Sequence, residues 1–403
     1  MIKIVYILSQ NSLIVKLLIY GDSSLPHLKI WVKKLSKKID QIVVIDRTNK
    51  MSVTDNVIKY YDDLNIKLIF GIYQPNYLHK IKNRLKRIFN SHSFPYYSNR
   101  AKILDKLINI EEPDIFHIHS LFDRSILFLN KSPDVLTIYG SETSDQNFLS
   151  IFSDDIISNL NNIKFIQSTS YTILKQFSHI FKFSPSKTRI YPWGVDNELF
   201  SIDNYDENKC EKIKSKYKIP KNDLILISNR GVSDTYNIKL QIEIFKNLYL
   251  TNLTIIIIAG FTNQELIEQY KSIFDNNNFL ANIIFIDKIL TQEELADLLY
   301  ISNYLISIPN SDNMASSIIE GIFMNTYPIL FSNDAYLEYL PNDKVFYIKK
   351  ETDIHSISKQ IQDLLSIHKP KLDIAFVSHL KSIFNWSNAI SNQYNVYEEV
   401  FSK

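Results

Sequence analysis

The chain alternates short apolar runs with longer amphipathic stretches. In the first half the apolar runs are 2–8, 42–46, 67–71, 114–119, 135–139 and 164–168, all rich in Ile or Val or flanked by them. Unbroken runs of this length, with no polar residue at every second position, are how strands buried on both faces read. Between them, 25–38, 100–109 and 171–180 carry apolar residues at helical spacing. The second half repeats the plan. Strands are predicted at 224–228, 253–259, 283–286, 304–308, 328–331 and 345–348, and helices at 238–250, 263–274, 292–301, 315–324 and 354–367.

Two successive strand–helix series predict an α/β chain of two doubly wound, Rossmann-like domains, each with its own parallel sheet. Sheets of this kind bind ligands beyond the carboxyl ends of their strands. The expected site therefore lies in a cleft between two facing domains. The stretch 196–223 is polar and charged and has no strong periodic signal, so the boundary is expected there.

At 403 residues the chain has room for both domains. No apolar run approaches the ~20 residues that a membrane-spanning helix needs. The apolar start is too short for a signal peptide and lacks the small-residue cleavage pattern, so it reads as a first strand. A single cysteine, Cys210, excludes an internal disulfide framework and a cysteine-rich zinc site, which points to a cytosolic chain.

The net charge of +2 hides an asymmetry: residues 1–100 hold 17 Lys and Arg against 6 Asp and Glu. The second half is acidic. Such a division points to an anionic surface or ligand facing the N-terminal half. Within that half, residues 78–89 place Leu78, Ile81, Leu85, Ile88 and Phe89 on one helical stripe, with lysines and arginines around it. That segment reads equally as a helix lying on an anionic membrane and as a core-packed helix with a solvated basic face. No nucleic-acid-binding module accompanies the charge, so nucleic acid is not an expected partner.

The strongest local signal is Ile308-Pro309-Asn310-Ser311-Asp312-Asn313-Met314-Ala315-Ser316-Ser317-Ile318-Ile319-Glu320-Gly321. An apolar strand ends, a polar loop follows and a helix begins. Free N–H groups at a helix start, with the positive end of its dipole, form a ready site for a diphosphate. The hydroxyls of Ser316 and Ser317 add possible donors. Glu320, within the helix, is placed to accept hydrogen bonds from a ribose diol, and Asp312 from a sugar. The plainer reading is that Ser311 or Asp312 only caps the helix.

Asp312 and Glu320, with seven residues between them, resemble the paired-carboxylate motif of the retaining glycosyltransferases of family 4, also called glycosyl transferases group 1, which have the GT-B fold. The resemblance runs along nearly the whole chain. Tyr191-Pro192-Trp193-Gly194-Val195-Asp196 with Phe200 is similar to the segment that closes the family's first domain. Ser228-Asn229-Arg230-Gly231, followed by Tyr236-Asn237, is similar to its phosphate-binding loop. Residues 283–287 and Leu290-Thr291-Gln292-Glu293-Glu294-Leu295 are similar to the strand and helix beside the base pocket. Pro113-Asp114-Ile115-Phe116-His117-Ile118-His119-Ser120 and Thr137-Ile138-Tyr139-Gly140-Ser141-Glu142 occupy the family's two motif places in the first half. Trp386 resembles the tryptophan before the family's terminal helix.

The resemblance implies a first domain of residues 1–197 that takes the acceptor, a donor domain of 198–385, and a C-terminal helix within 386–403 that returns to the first. It assigns Arg230, Asp312 and Glu320 to catalysis. Arg230, Met314, Ala315, Ser316, Ser317, Glu320 and Ile289 would hold the nucleotide-sugar, with UDP-sugar favoured over GDP-sugar and no metal or other cofactor. His119, Tyr139 and Gly140 would line the acceptor side. The acceptor would be a glycan or lipid-linked glycan in bacterial surface polysaccharide synthesis, made at the inner face of the membrane. Four positions depart from the family pattern. Asp312 is one methylene shorter than the family's glutamate, Tyr236 stands at a lysine's place, Tyr139 at a histidine's, and Asp287 where glycine is common. These departures keep open a second reading, a weakened relative that binds and stabilises an active transferase. A dinucleotide oxidoreductase is set aside: the chain has 7 glycines and no Gly-x-Gly.

Two further clusters have plainer readings. His117 and His119 lie two apart on one strand and so share a face. No third metal ligand is evident nearby, so packing is favoured. Ser153-Asp154-Asp155 reads as a helix cap.

Overall fold

The computed structural model describes residues 15–48, 53–71, 94–121, 123–144, 160–260, 264–276, 278–348, 353–367 and 372–402. The run at 2–8, the basic segment 78–89 and Ser153–Asp155 lie outside the described residues. The chain divides into two compact units. One comprises residues 1–168, 173–191 and 390–403, and the other 169–172 and 192–389.

The first unit is built on seven parallel strands: β1 (Lys16–Gly21), β2 (Gln41–Asp46), β3 (Lys67–Ile69), β4 (Ile115–His119), β5 (Val135–Thr137), β6 (Phe165–Ser168) and β7 (Thr188–Ile190). Their order is β3-β2-β1-β4-β5-β6-β7. The order reverses between β1 and β4, which pair in register Leu17↔Ile115 to Tyr20↔Ile118. Two of these strands were not expected. Val15–Tyr20 is as apolar as the run at 2–8, and pairing with both β2 and β4 shows it to be a central strand. β7 is a three-residue edge strand, half exposed, and too short for periodicity to reveal.

The two faces of this sheet differ. Leu18, Tyr20, Val43, Ile45, Phe116, Ile118, Leu136 and Ile166 point into one apolar core. The alternate positions His117, His119, Thr137 and Gln167 are also buried, on the other face. There the helix Trp386–Phe401 supplies polar partners. Gln393 accepts from the Gln167 amide at 2.7 Å, and the Tyr397 hydroxyl shares a 2.7 Å hydrogen bond with His117 Nδ1.

The second unit holds six parallel strands: β8 (Leu224–Ser228), β9 (Leu253–Ile258), β10 (Asn282–Ile286), β11 (Tyr304–Ser307), β12 (Tyr327–Phe331) and β13 (Phe346–Ile348), in the order β10-β9-β8-β11-β12-β13. Here the period of two divides the sheet into two apolar faces. Ile225, Ile227, Ile256, Leu305 and Leu330 enter one core. Leu226, Ile255, Ile257, Tyr304, Ile306 and Ile329 enter the other. Each such isoleucine contributes about 1.5–3 kcal/mol by leaving water, which is why these strands read as unbroken apolar runs.

The stretch 196–223, expected as a boundary loop, contains the helix Glu207–Lys216, capped by the Asp206 carboxylate accepting from Lys209 N–H at 2.7 Å. Only Ile213 of that helix is buried, so its apolar stripe is too sparse to register in the sequence. Before it, Gly194 packs against Trp386. A Cβ on Gly194 would lie 2.5 Å from the indole and 2.6 Å from the Trp386 Cα. The next residue, Val195, donates its N–H to the Phe384 carbonyl at 2.9 Å.

Candidate functional site

β8 ends in Ser228, and Asn229-Arg230-Gly231 follow as a turn. Gly231 has φ 85° and Gly260, after β9, has φ 67°. A Cβ on Gly260 would come within 3.2 Å of the Gly231 Cα, so the two loops touch where side chains are missing. The same loop is tied to the one after β11. Asn237, in the left-handed region at φ 54°, donates its amide to the Ile308 carbonyl at 2.9 Å, and Asn310 N–H donates to the Thr235 carbonyl at 3.1 Å. These bonds bring Arg230 to the segment that carries Asp312.

Arg230 donates from Nη2 to Asp312 Oδ2 at 2.6 Å and from Nη1 to the Ser317 hydroxyl at 2.8 Å. Its side chain is only 10% exposed and that of Asp312 15%. Burial opposes the charge on Arg230, but the Asp312 carboxylate beside it holds its proton affinity above the ordinary arginine value. The guanidinium carbon also lies 4.7 Å from the centre of the Tyr236 ring. Asp312 has further donors. The Tyr336 hydroxyl reaches the same Oδ2 at 2.6 Å, and the Asn333 amide reaches the Asp312 carbonyl at 2.8 Å.

The helix Ser316–Phe323 opens at Ala315, and no side chain caps it. Neither Ser311 nor Asp312 is therefore a helix cap. The Met314 N–H is taken by the Asn313 side chain at 2.9 Å. The N–H groups of Ala315, Ser316 and Ser317 have no acceptor among the described residues, as the first turn of a helix leaves them. They stand beside the Ser317 hydroxyl that Arg230 already touches.

One turn on, Glu320 is half-buried, and its carboxylate makes no hydrogen bond among the described residues. Desolvation by the protein around it pushes its carboxyl up to about 7, against the pull of Arg230. The result is one buried cation close to two acidic groups, the first in contact and the second not. Among the other expected donor residues, Met314 is 3% exposed, and its side chain packs into the core with Ala315. Ile289 is 61% exposed on the loop after β10.

The expected acceptor residues come together in the first unit. His119, at the end of β4, shares a 2.8 Å hydrogen bond from Nδ1 with the Tyr139 hydroxyl. The N–H groups of Tyr139 and Gly140 both donate to Glu142 Oε2 at 3.0 Å. His117 and His119 stack at 4.4 Å, and Trp31 meets each of them edge-on. Both His117 nitrogens are hydrogen-bonded, to Tyr397 and to Thr137, which fits packing rather than metal ligation. Among the described residues no group of His, Cys, Asp and Glu is arranged to hold a metal ion.

Sequence reasoning missed Asn229, Asn333 and Tyr336. Asn229 donates to the Ser317 carbonyl at 3.1 Å. Asn333 and Tyr336 follow β12, and their signal was an Asn-Asp pair directly after an apolar strand, a common start for a helix. That pattern names a cap, which Asn333 also is, and not a contact to Asp312.

Residues 209–375 match the family model described as "Glycosyl transferases group 1". No curated protein sequence matches the chain. Solved structures resemble it over most of its length. A glycosyltransferase from Rickettsia africae is 16% identical with a TM-score of 0.67, over 96% of this chain and 99% of that one. HepE from Anabaena, solved in complex with UDP-glucose, is 12% identical with a TM-score of 0.69, over 96% and 100%. Sucrose-phosphate synthase from Thermosynechococcus elongatus is 12% identical with a TM-score of 0.69, over 96% and 99%. The chain thus has the fold of the GT-B glycosyltransferases, and its residues 209–375 are similar to the glycosyl transferases group 1 family.

Proposed function

We propose that this chain transfers a sugar, with retention, from a nucleotide-sugar to a glycan or lipid-linked glycan. UDP-sugar is the favoured donor, no metal takes part, and bacterial surface polysaccharide synthesis is the setting. The observation that carries this reading is Arg230 held at the start of the helix Ser316–Phe323, in contact with both Asp312 and Ser317. A buried guanidinium beside free N–H groups suits a leaving diphosphate, whose negative charge grows as the glycosidic bond breaks. Glu320, whose carboxylate makes no hydrogen bond among the described residues, suits a ribose diol. Asp312, kept in place by Tyr336 and Asn333, suits a sugar hydroxyl.

In this mechanism the acceptor hydroxyl attacks the anomeric carbon on the face that the diphosphate leaves, and a donor phosphate oxygen takes its proton. The protein then needs no nucleophile–base pair of its own. His119 and Tyr139, with Gly140, belong to the acceptor side. UDP-glucose stands bound in HepE, a protein of this fold, and it is the donor to test first. Thermal shift of the full chain with UDP-glucose and GDP-glucose, repeated with Arg230→Ala and Glu320→Ala, is the direct experiment. Stabilisation by the UDP-sugar that both variants lose is the expected result. Stabilisation by no nucleotide-sugar would overturn the reading.

A second reading has one observation in its favour. Tyr236 covers Arg230 at 4.7 Å in the place where the resemblance puts a lysine. A chain with that single cation would bind a donor weakly and act as a stabilising partner of an active transferase. Donor binding without turnover on any acceptor would favour this second reading.

A further inference from the structure

We propose that the acceptor carries a phosphate group and that Arg47 binds it. This rests on the reading of the chain as a transferase and names a substrate class for its acceptor side.

Four arginines have side chains among the described residues. Arg100 pairs with Asp123 at 2.7 Å, Arg189 with Glu399 at 2.5 Å and Arg230 with Asp312 at 2.6 Å. Arg47 differs. Among the described residues it makes no ion pair, its side chain donates no hydrogen bond, and its Nε is buried without a partner. Holding a half-buried guanidinium without a counter-charge is costly. A bound anion removes the cost, and the planar fork of Arg matches phosphate oxygens.

The place is right for a ligand. Arg47 follows β2, and its N–H donates to the Gly21 carbonyl at 2.8 Å, one step beyond the Gly21↔Asp46 pair. Gly21 ends β1 at the point where strand order reverses, which is where doubly wound sheets bind ligands. A Cβ on Gly21 would lie 3.2 Å from the His119 Cβ. Arg47 also acts electrostatically on the Tyr139 phenol, alongside Asp22 and Glu142. The nearby carboxylates do not meet Arg47. Asp22 accepts from the N–H and hydroxyl of Ser24, Asp46 is taken by Ser23 and Thr48, Asp123 by Arg100 and Tyr20, and Glu142 by the N–H groups of Leu121, Tyr139 and Gly140. Arg100 donates to the Arg47 carbonyl at 2.9 Å, which fixes the backbone from which the free guanidinium extends.

Phosphate chemistry at this place has two sources, a soluble sugar phosphate or the phosphate of a lipid carrier. The experiment titrates the full chain, saturated with UDP, with glucose 6-phosphate, with dodecyl phosphate below its micelle concentration, and with glucose as the uncharged control. Either phosphate should bind at least about tenfold more tightly than glucose, the effect of one or two charge-assisted hydrogen bonds. The tighter of the two identifies the source. Arg47→Gln should lose that preference and Arg47→Lys should keep part of it. Equal binding of phosphate by wild type and Arg47→Gln marks an adventitious ion only and overturns the proposal, as does a wild type that does not prefer either phosphate. UDP affinity, read in separate titrations, tests the donor reading on its own, so the two failures are distinguishable.

Discussion

Arg230 and Asp312 form a buried ion pair at 2.6 Å, and the Asp312 oxygen that accepts from Arg230 also accepts from Tyr336. In the free protein the cation proposed for the diphosphate is therefore already neutralised. A donor bringing its own charge would relieve Arg230 of Asp312 and leave that carboxylate to a sugar hydroxyl. Tyr336 then keeps Asp312 from swinging away.

The first prediction concerns Tyr336. Tyr336→Phe removes one hydrogen bond to a charged group, worth about 1.5–3 kcal/mol. Sugar transfer should fall by about tenfold or more. UDP affinity should move by less than about twofold, because the hydroxyl faces Asp312 and not the phosphates. Steady-state kinetics with UDP-glucose beside a UDP titration separate the two. Equal losses in both would show that Tyr336 only supports the fold.

Glu320 links function to a cost in stability. Its carboxyl titrates near 7 in the folded chain against 4.5 in the unfolded one. The folded state holds its proton to higher pH, so the associated stability is full below 4.5 and is lost as pH rises to about 7. Glu320→Gln should therefore stabilise the free protein at pH 8 by about 1–3 kcal/mol. The same variant should lose UDP affinity, since an amide is a poorer acceptor for a diol than a carboxylate. Denaturant melts and UDP titrations at pH 8 check both. A variant that is less stable than wild type would contradict this account.

The strands of the second unit were legible because both faces of the sheet are apolar, so no polar position interrupted the pattern. β8 spans Leu224–Ser228, the range the sequence predicts. Ser317, Asp312 and Glu320 were readable as candidate chemistry at a helix start, and Arg230 only through the resemblance. Their pairing was not, because Arg230 and Asp312 lie 82 positions apart and only the bonds between the loops after β8 and β11 join them. Arg47 was invisible for a different reason. An arginine after a strand is ordinary, and only the structure shows that no carboxylate among the described residues pairs with it.

The first unit should be sensitive to acid. Desolvation by burial pushes His27 down to about 4 and His117 to about 3, and lowers His119 as well. The unfolded chain takes up protons near 6.5 that the folded chain refuses. Stability is therefore full above about 6.5 and falls as pH drops below it, by about 2 kcal/mol per histidine at pH 5. Melting of the full chain should occur at lower temperature at pH 5 than at pH 7.5. His117→Gln, neutral at both, should flatten the slope. Equal stability of wild type at the two pH values would rule the histidines out as the cause.

Gly194 tests the turn that leads into the second unit. Its missing Cβ leaves room for the Trp386 indole and for backbone, neither of which is the loose end of a flexible side chain. Gly194→Ala should cost about 1–3 kcal/mol by overpacking. Trp386→Ala removes the indole but leaves the Trp386 Cα 2.6 Å from the new Cβ, so the alanine at 194 should cost less in the double variant but not nothing. A double-mutant cycle by urea melting measures the coupling. Additive losses would mean that Gly194 is constrained by something other than the Trp386 indole.

Tyr236 decides between an active transferase and a binding partner. Its ring lies over Arg230, where the resemblance places a lysine. Tyr236→Lys sets a second cation beside the first. Without ligand the two repel, so the free variant should be less stable than wild type by about 1 kcal/mol. With a diphosphate bound, both cations face four or so phosphate oxygens, and UDP should bind about tenfold more tightly. Transfer tells the rest. If the natural chain is an enzyme slowed by weak donor binding, Tyr236→Lys should lower the KM for UDP-glucose by a similar factor and leave kcat near its starting value. If the chain serves only as a partner, the variant gains UDP affinity without turnover. Unchanged UDP affinity would place Tyr236 away from the phosphates and remove the one observation that favours the partner reading.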